Sequence, residues 1–149
     1  MHASIPMKRD VFVVLPETPL ETAWSIMQRE RIRHLPVVQA GALLGILSDR
    51  DILVRASLSR DGKVIVDNRV LVGSAMTPAP FVCGETTDVE ELVKLMTEKK
   101  IDAVPVVSSS DRLVGLVTST DLMLLLLERN GARALPFDYH IHEVQPPAV

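Results

Sequence analysis

Ile32-Arg33-His34-Leu35-Pro36-Val37-Val38, followed by Gly45-Ile46-Leu47-Ser48-Asp49-Arg50-Asp51, decides the fold, because the chain contains both stretches twice. The first recurs as Ile101-Asp102-Ala103-Val104-Pro105-Val106-Val107 and the second as Gly115-Leu116-Val117-Thr118-Ser119-Thr120-Asp121. The prolines at 36 and 105 lie 69 residues apart, and so do Met7 and Met76, and Met27 and Met96. The aspartates at 51 and 121 lie 70 apart, one residue having been gained in the intervening turn. A register kept over so many positions marks a duplication. Two copies at this period are too few for a solenoid and point to a paired architecture.

Each copy reads as β-α-β-β-α. A β-like run opens it, Val11–Leu15 or Phe81–Cys83. Thr18-Pro19-Leu20-Glu21 and Thr87-Asp88-Val89-Glu90 then read as helix starts, a hydroxyl capping and an acid three residues on. Leu20, Ala23, Trp24 and Met27, like Val89, Leu92, Val93 and Met96, recur with the spacing of one helical face. Leu35–Val38 and Leu43–Leu47 make a hairpin around Gln39-Ala40-Gly41, and Leu113–Val117 follows the turn Ser108–Arg112 in the second copy. Closing helices are expected from Asp51 and from Asp121. The fold class is α+β, two such repeats packed as a pseudo-two-fold pair, because neither small sheet can bury both faces alone. The expected organisation is a first repeat over 1–62, a linking excursion over 63–72, a second repeat over 73–130 and a tail over 131–149, with a candidate edge strand at Tyr139–Val144.

Composition narrows the function classes. With 16 basic and 19 acidic residues in 149, the net charge of −3 is too mild for a polyanion binder, and no aromatic-basic interleaving suggests nucleic acid. The nearest thing to a basic cluster, Arg29–Arg33, reads first as a solvated helix end. Only 3% of residues are aromatic, so the core is aliphatic. Cys83 is alone and sits in a Val-rich run, which suits a small core residue in a reducing compartment. The longest apolar run, Leu122–Leu127, is six residues, so no membrane partner is expected and the protein is placed in the cytoplasm. No nucleophile–base constellation, P-loop or dinucleotide fingerprint occurs, and no catalytic residues or required cofactor are assigned. His140, His142 and Glu143 could share a strand face, but such a tail group is read as incidental and no metal is assigned.

The informative chemistry is Gly45-x-x-Ser48-x-x-Asp51 and its copy Gly115-x-x-Thr118-x-x-Asp121, where a strand ends and a helix begins. Unpaired N–H groups of a first helical turn attract phosphate. The Ser48 or Thr118 hydroxyl can donate to a phosphate oxygen, and the carboxylate three residues on can accept from both hydroxyls of a ribose. The glycine lets a flat base approach the backbone. The same residues also make a helix-start capping box, and the sequence leaves both readings open.

The paired segments closely resemble CBS domains in their tandem "Bateman" form, over about Met7–Glu128, with Met76-Thr77-Pro78 matching the family's opening segment and Met7-Lys8-Arg9 a degenerate version. The resemblance implies a non-enzymatic regulatory module. Its regulatory ligand is an adenosine-containing small molecule, AMP, ADP, ATP or S-adenosylmethionine, held in a cleft between the repeats. It implies Asp51 and Asp121 on the ribose, Ser48 and Thr118 on sugar or phosphate, and Ile46 and Leu116 against adenine. His34, Ala103 and Val104, partly through their backbone, meet base or phosphate. Arg33, His34 and Arg50 are the cations of the first copy, where the second has Asp102, Ala103 and Thr120, so one stronger site is expected. For Arg33, His34 and Arg50, a solvated turn or helix start is the other reading. A homodimer through the terminal helices of the repeats and an unidentified effector protein complete the picture. The alternative is a dimerising scaffold whose clefts are vestigial.

Overall fold

The computed structural model describes residues 1–3, 6–7, 10–127 and 140–144. The expectations resting on Lys8, Arg9, Glu128, Pro136 and Tyr139 lie outside the described residues. The first copy opens with β1 (Asp10–Val14) and α1 (Leu20–Glu30), continues through β2 (His34–Gln39) and β3 (Ala42–Ser48), and closes with the short α2 (Asp49–Leu53). After β4 (Ser57–Leu58), β5 (Val64–Ile65), α3 (Val72–Ala75) and β6 (Thr77–Pro78), the second copy begins. It runs β7 (Cys83–Gly84), α4 (Val89–Lys99), β8 (Ala103–Val107), β9 (Leu113–Thr118) and α5 (Ser119–Leu127), and β10 (His140–Val144) follows.

The duplication extends to local detail. Each hairpin sets the first copy's His34 opposite Ser48 and Pro36 opposite Ile46, or the second copy's Ala103 opposite Thr118 and Pro105 opposite Leu116. Both hairpins carry a register shift at one place, Val37/Val38 and Val106/Val107. Helices α1 and α4 stop alike, with Arg31 and Lys100 left-handed (φ 54° and 55°) and their N–H groups returned to Met27 and Met96 carbonyls. Two expectations fail at the other ends. Thr18 and Thr87 do not cap: their hydroxyls accept from the Leu15 and Gly84 amides at 3.1 and 3.0 Å, tying the preceding strand instead. Pro19 is the N-cap of α1, without a side-chain bond, and Asp88 caps α4 through the Glu90 amide. Helices α2 and α5 begin at Asp49 and Ser119, two residues before the expected aspartates, because the capping residue sets the start.

The residues divide into two compact units, Phe12–Ala79 with His142–Val149, and Met1–Val11 with Pro80–Ile141. The first-repeat core gathers Leu20, Ala23, Ile26 and Met27 from α1, Leu35, Val37 and Leu47 from the hairpin, and Ile52 from α2. Val66 and Val72 join that core, so the 63–72 excursion contributes packing as well as connection. The second-repeat core gathers Leu92, Met96, Val104, Val106 and Val117, with Cys83. Ala3 and Met7 are fully buried in it, and the Ala3 amide donates to the Thr87 carbonyl at 2.7 Å. Burying one such aliphatic side chain stabilises by roughly 1.5–3 kcal/mol. The expected helix faces are corrected at three positions: Trp24 and Val89 are only partly buried, and Val93 is 42% exposed, while Ile26 takes a core place.

Strand β10 lies beside β1 at the edge of a five-stranded sheet ordered β10-β1-β2-β3-β6, and His142 stacks on Phe12 with ring centroids 5.0 Å apart. Among the described residues no three metal-ligating side chains converge, and no helix is long and apolar enough to cross a membrane.

Candidate functional site

The strand-to-helix turn after β3 is a closed reciprocal pair. The Asp51 amide donates to Ser48 Oγ at 3.1 Å, and the Ser48 amide donates to Asp51 Oδ2 at 2.8 Å. The copy after β9 is tighter. The Thr118 amide donates to Asp121 Oδ2 at 2.8 Å, the Thr118 hydroxyl donates to the same oxygen at 2.8 Å, and the Asp121 amide returns to Thr118 Oγ1 at 3.3 Å. Both aspartates therefore cap their own helices, the structural role the motif allowed.

The two caps leave different groups over. Ser48 uses its oxygen as an acceptor, and among the described residues its hydroxyl proton and Asp51 Oδ1 meet no partner. Thr118 has committed its proton to Asp121, which is only 6% exposed. Asp51 is half-buried. A sugar hydroxyl can reach the Asp51 carboxylate without breaking the cap, whereas at Asp121 it competes with an internal donor.

Strand parity decides which other residues join Ser48. Neighbours across an antiparallel ladder share a face, and so do residues two apart. His34, Pro36, Ile46 and Ser48 consequently lie on one face of the β2–β3 hairpin, opposite Leu35, Val37 and Leu47, which fill the core. Arg33 comes to the same end of the hairpin, because the Asp49 amide donates to its carbonyl at 2.9 Å; its side chain and that of Arg50 are exposed. In the second copy Ala103, Pro105, Leu116 and Thr118 share the corresponding face, and the Ser119 amide donates to the Asp102 carbonyl at 2.9 Å. The structure thus brings together Arg33, His34, Ile46, Ser48, Arg50 and Asp51 at one turn, and Ala103, Leu116, Thr118 and Asp121 at the other. Val104 does not join them: its side chain is wholly buried in the core, leaving only its backbone for any contact.

Two further residues belong to this neighbourhood. Strand β6 pairs with β3, setting Thr77 opposite Ile46 and Pro78 opposite Gly45. Thr77 therefore sits on the Ile46 face with its side chain exposed. The Met76-Thr77-Pro78 segment carried this signal in the sequence. Gly45 has a different purpose from the one expected of it: a Cβ there would lie 2.6 Å from Met76 Sδ and 2.7 Å from the Thr77 carbonyl oxygen. The space left by its missing side chain admits β6, not a base.

Burial pushes the Cys83 thiol up to about 11, which leaves it un-ionised and a poor nucleophile at neutral pH.

An α+β chain of two β-α-β-β-α repeats, each ending a hairpin on a hydroxyl–carboxylate turn, defines the class. The chain belongs to the CBS domain family, whose model matches residues 3–57 and 72–128. It is 33% identical over 85% of its length to CBS domain-containing protein CBSX1, chloroplastic, of Arabidopsis thaliana, and spans 64% of that relative. Among solved structures it is similar to CBSX2 in complex with AMP, with a TM-score of 0.76 and 25% identity over 87% of this chain and 98% of that one. It is also similar to the CBS domain pair of protein MJ0100 in complex with 5′-methylthioadenosine and S-adenosyl-L-methionine. There the TM-score is 0.72 and the identity 26%, over 85% of this chain and 99% of that one.

Proposed function

We propose that this chain is a non-catalytic regulatory module that binds an adenine nucleotide, AMP, ADP or ATP, with the first-repeat turn as its stronger site. One observation carries the reading: at Ser48–Asp51 a hydroxyl proton and a carboxylate oxygen remain uncommitted, among the described residues, beside apolar Ile46. The ribose hydroxyls go to Asp51, and Ser48 donates to the sugar or phosphate. The base lies along Ile46, with Thr77 next to it. Arg33 and Arg50, with His34, neutralise phosphate, which needs cations once partly desolvated. Asp102 and Thr120 stand in the places of the two arginines in the second repeat. That contrast favours one strong site.

The likeness to an AMP complex supports an adenosine ligand; the likeness to a complex with S-adenosyl-L-methionine supports that ligand as the second reading. The arginines favour the nucleotide, because S-adenosylmethionine brings no phosphate for them. A ligand binding one arrangement of the module better than another shifts its population, and an effector protein reads the shift. The module works as a homodimer through the closing helices of its repeats, where α5 exposes Met123, Leu124, Leu126 and Leu127.

Calorimetry with AMP, ATP and S-adenosylmethionine tests the proposal. Sub-millimolar binding of a nucleotide, tighter than S-adenosylmethionine, is the expected result. Absence of binding by all three, with a melting temperature that none of them raises, overturns it and leaves a dimerising scaffold.

A further inference from the structure

Helix α2 carries both Arg50 and Asp51, yet it has only five residues, too few to hold itself by helical bonds alone. Ile52 anchors it in the first-repeat core, while Leu53, Val54 and Arg55 are exposed. Its last turn is tightened. The Arg55 amide donates to the Ile52 carbonyl at 3.0 Å and the Ala56 amide to the Leu53 carbonyl at 3.2 Å, each three residues back. The Val54 amide takes the Arg50 carbonyl at 3.1 Å. The Asp51 carbonyl is thereby left without the donor that a continuing helix supplies from four residues on. The Arg55 side chain fills that gap, its Nη1 donating to the Asp51 carbonyl at 2.8 Å. Among the described residues the guanidinium meets no carboxylate, so this bond is what fixes it.

The duplication shows the other solution. Leu125 stands where the first repeat has Arg55, 70 residues on. Helix α5 runs for nine residues, to Leu127, so the Leu125 amide serves the Asp121 carbonyl as any helical amide does. The second turn needs no side chain at that place, and the first does.

We propose that Arg55 is a positioning residue for the nucleotide site, holding Asp51 from the far end of α2. The inference rests on the reading of Ser48–Asp51 given above. Asp51 is fastened at three points: its amide to Ser48 Oγ, its Oδ2 to the Ser48 amide, and its carbonyl to Arg55. Without the third, α2 unwinds from its C-terminal end, and Oδ1 loses the direction in which it meets a ribose hydroxyl. A group held in its binding geometry beforehand binds more tightly than one that must be ordered by the ligand. Arg55 itself touches no part of the nucleotide and acts through Asp51.

Calorimetry of the parent chain, Arg55→Leu and Arg55→Lys with ATP and 2′-deoxy-ATP tests this. Arg55→Leu gives the first repeat the residue of the second, and leucine favours a helix about as well as arginine does. Melting curves without ligand verify the fold. The parent is expected to prefer ATP, because Asp51 accepts from both ribose hydroxyls. Arg55→Leu should bind ATP about fivefold more weakly while 2′-deoxy-ATP changes by less than about twofold, so that discrimination between the sugars shrinks. Arg55→Lys, which keeps a donor, should stay within about twofold of the parent for both. A purely structural arginine, or one that reaches phosphate, would weaken both nucleotides by the same factor; that result overturns the inference, as does Arg55→Leu binding both like the parent. A parent that binds the two nucleotides equally removes Asp51 from the ribose and this role of Arg55 with it. A parent that binds neither sinks the reading of the site itself.

Discussion

The turns at Ser48–Asp51 and Thr118–Asp121 share their backbone plan but differ in what each leaves available. A serine accepts one bond and keeps its proton; a threonine closes on the carboxylate it caps. The first carboxylate is half-buried, at the same end of the hairpin as Arg33, His34 and Arg50; the second is nearly sealed and has Asp102, Ala103 and Thr120 at those positions. Duplication supplies two copies of a helix start, and small differences in commitment separate the turn proposed to bind from the one proposed to be structural.

The sharpest way to break that comparison is to remove the carboxylates one at a time. Asp51→Ala is expected to weaken nucleotide binding by about 10- to 100-fold, since a hydrogen bond to a charged group contributes roughly 1.5–3 kcal/mol. Asp121→Ala should change it by less than about threefold. Calorimetry on both variants decides; equal losses would erase the distinction between the turns.

Stability should show the opposite order. Asp121→Ala loses two bonds to one buried oxygen, from the Thr118 amide and from its hydroxyl, costing about 2 kcal/mol. Asp51→Ala loses one capping bond, about 1 kcal/mol. At this chain length 1 kcal/mol moves the melting temperature by about 2–4 °C. Ligand-free melting curves in which Asp51→Ala falls further than Asp121→Ala would refute the assignment of the tighter cap.

Gly45 sharpens the comparison from the strand side. Gly45→Ala drives a methyl into Met76 Sδ and the Thr77 carbonyl, and overpacking of this kind costs about 1–3 kcal/mol. Because backbone lies behind the contact, β6 must shift, and Thr77 leaves its place beside Ile46. Reduced stability together with reduced nucleotide affinity is the expected outcome. An unchanged affinity would remove β6 from the site.

Much of this is legible in the chain, and the exceptions have physical causes. The repeat, both hairpins and the capping boxes follow from local spacing: a β-branched run, a Gly41 turn, and an acid three residues after a hydroxyl. What fails is non-local. Spacing marks Thr18 and Thr87 as caps, but the amides of Leu15 and Gly84 compete for their hydroxyls once the chain folds back. The burial of Ala3 and Met7 in the second-repeat core depends on contacts with residues in the second half of the chain, Thr87 among them. Val104 is legible in principle, because the residue beside Pro105 must point to the opposite face from it. Gly45 suggests an approach of base to backbone, and only the pairing with β6 shows what occupies the space.

The smallest expected effect compares the two hairpin turns. Ala40 carries φ 51° in front of Gly41 at φ 79°, a type I′ geometry that favours Asn-Gly. A left-handed alanine is strained by about 1 kcal/mol, while Asp111, at φ 58° in the longer second turn, tolerates that region better. Ala40→Asn is therefore expected to stabilise by about 0.5–1 kcal/mol and Asp111→Ala to destabilise by a similar amount, both read by denaturant unfolding. The two signs are opposite because the same backbone conformation holds a poorly suited residue in one repeat and a well-suited one in the other. Neither turn touches the Ser48 or Thr118 end of its hairpin, so nucleotide affinity should stay level in both variants. A change in affinity would mean that strain in the turn reaches the site along the strands.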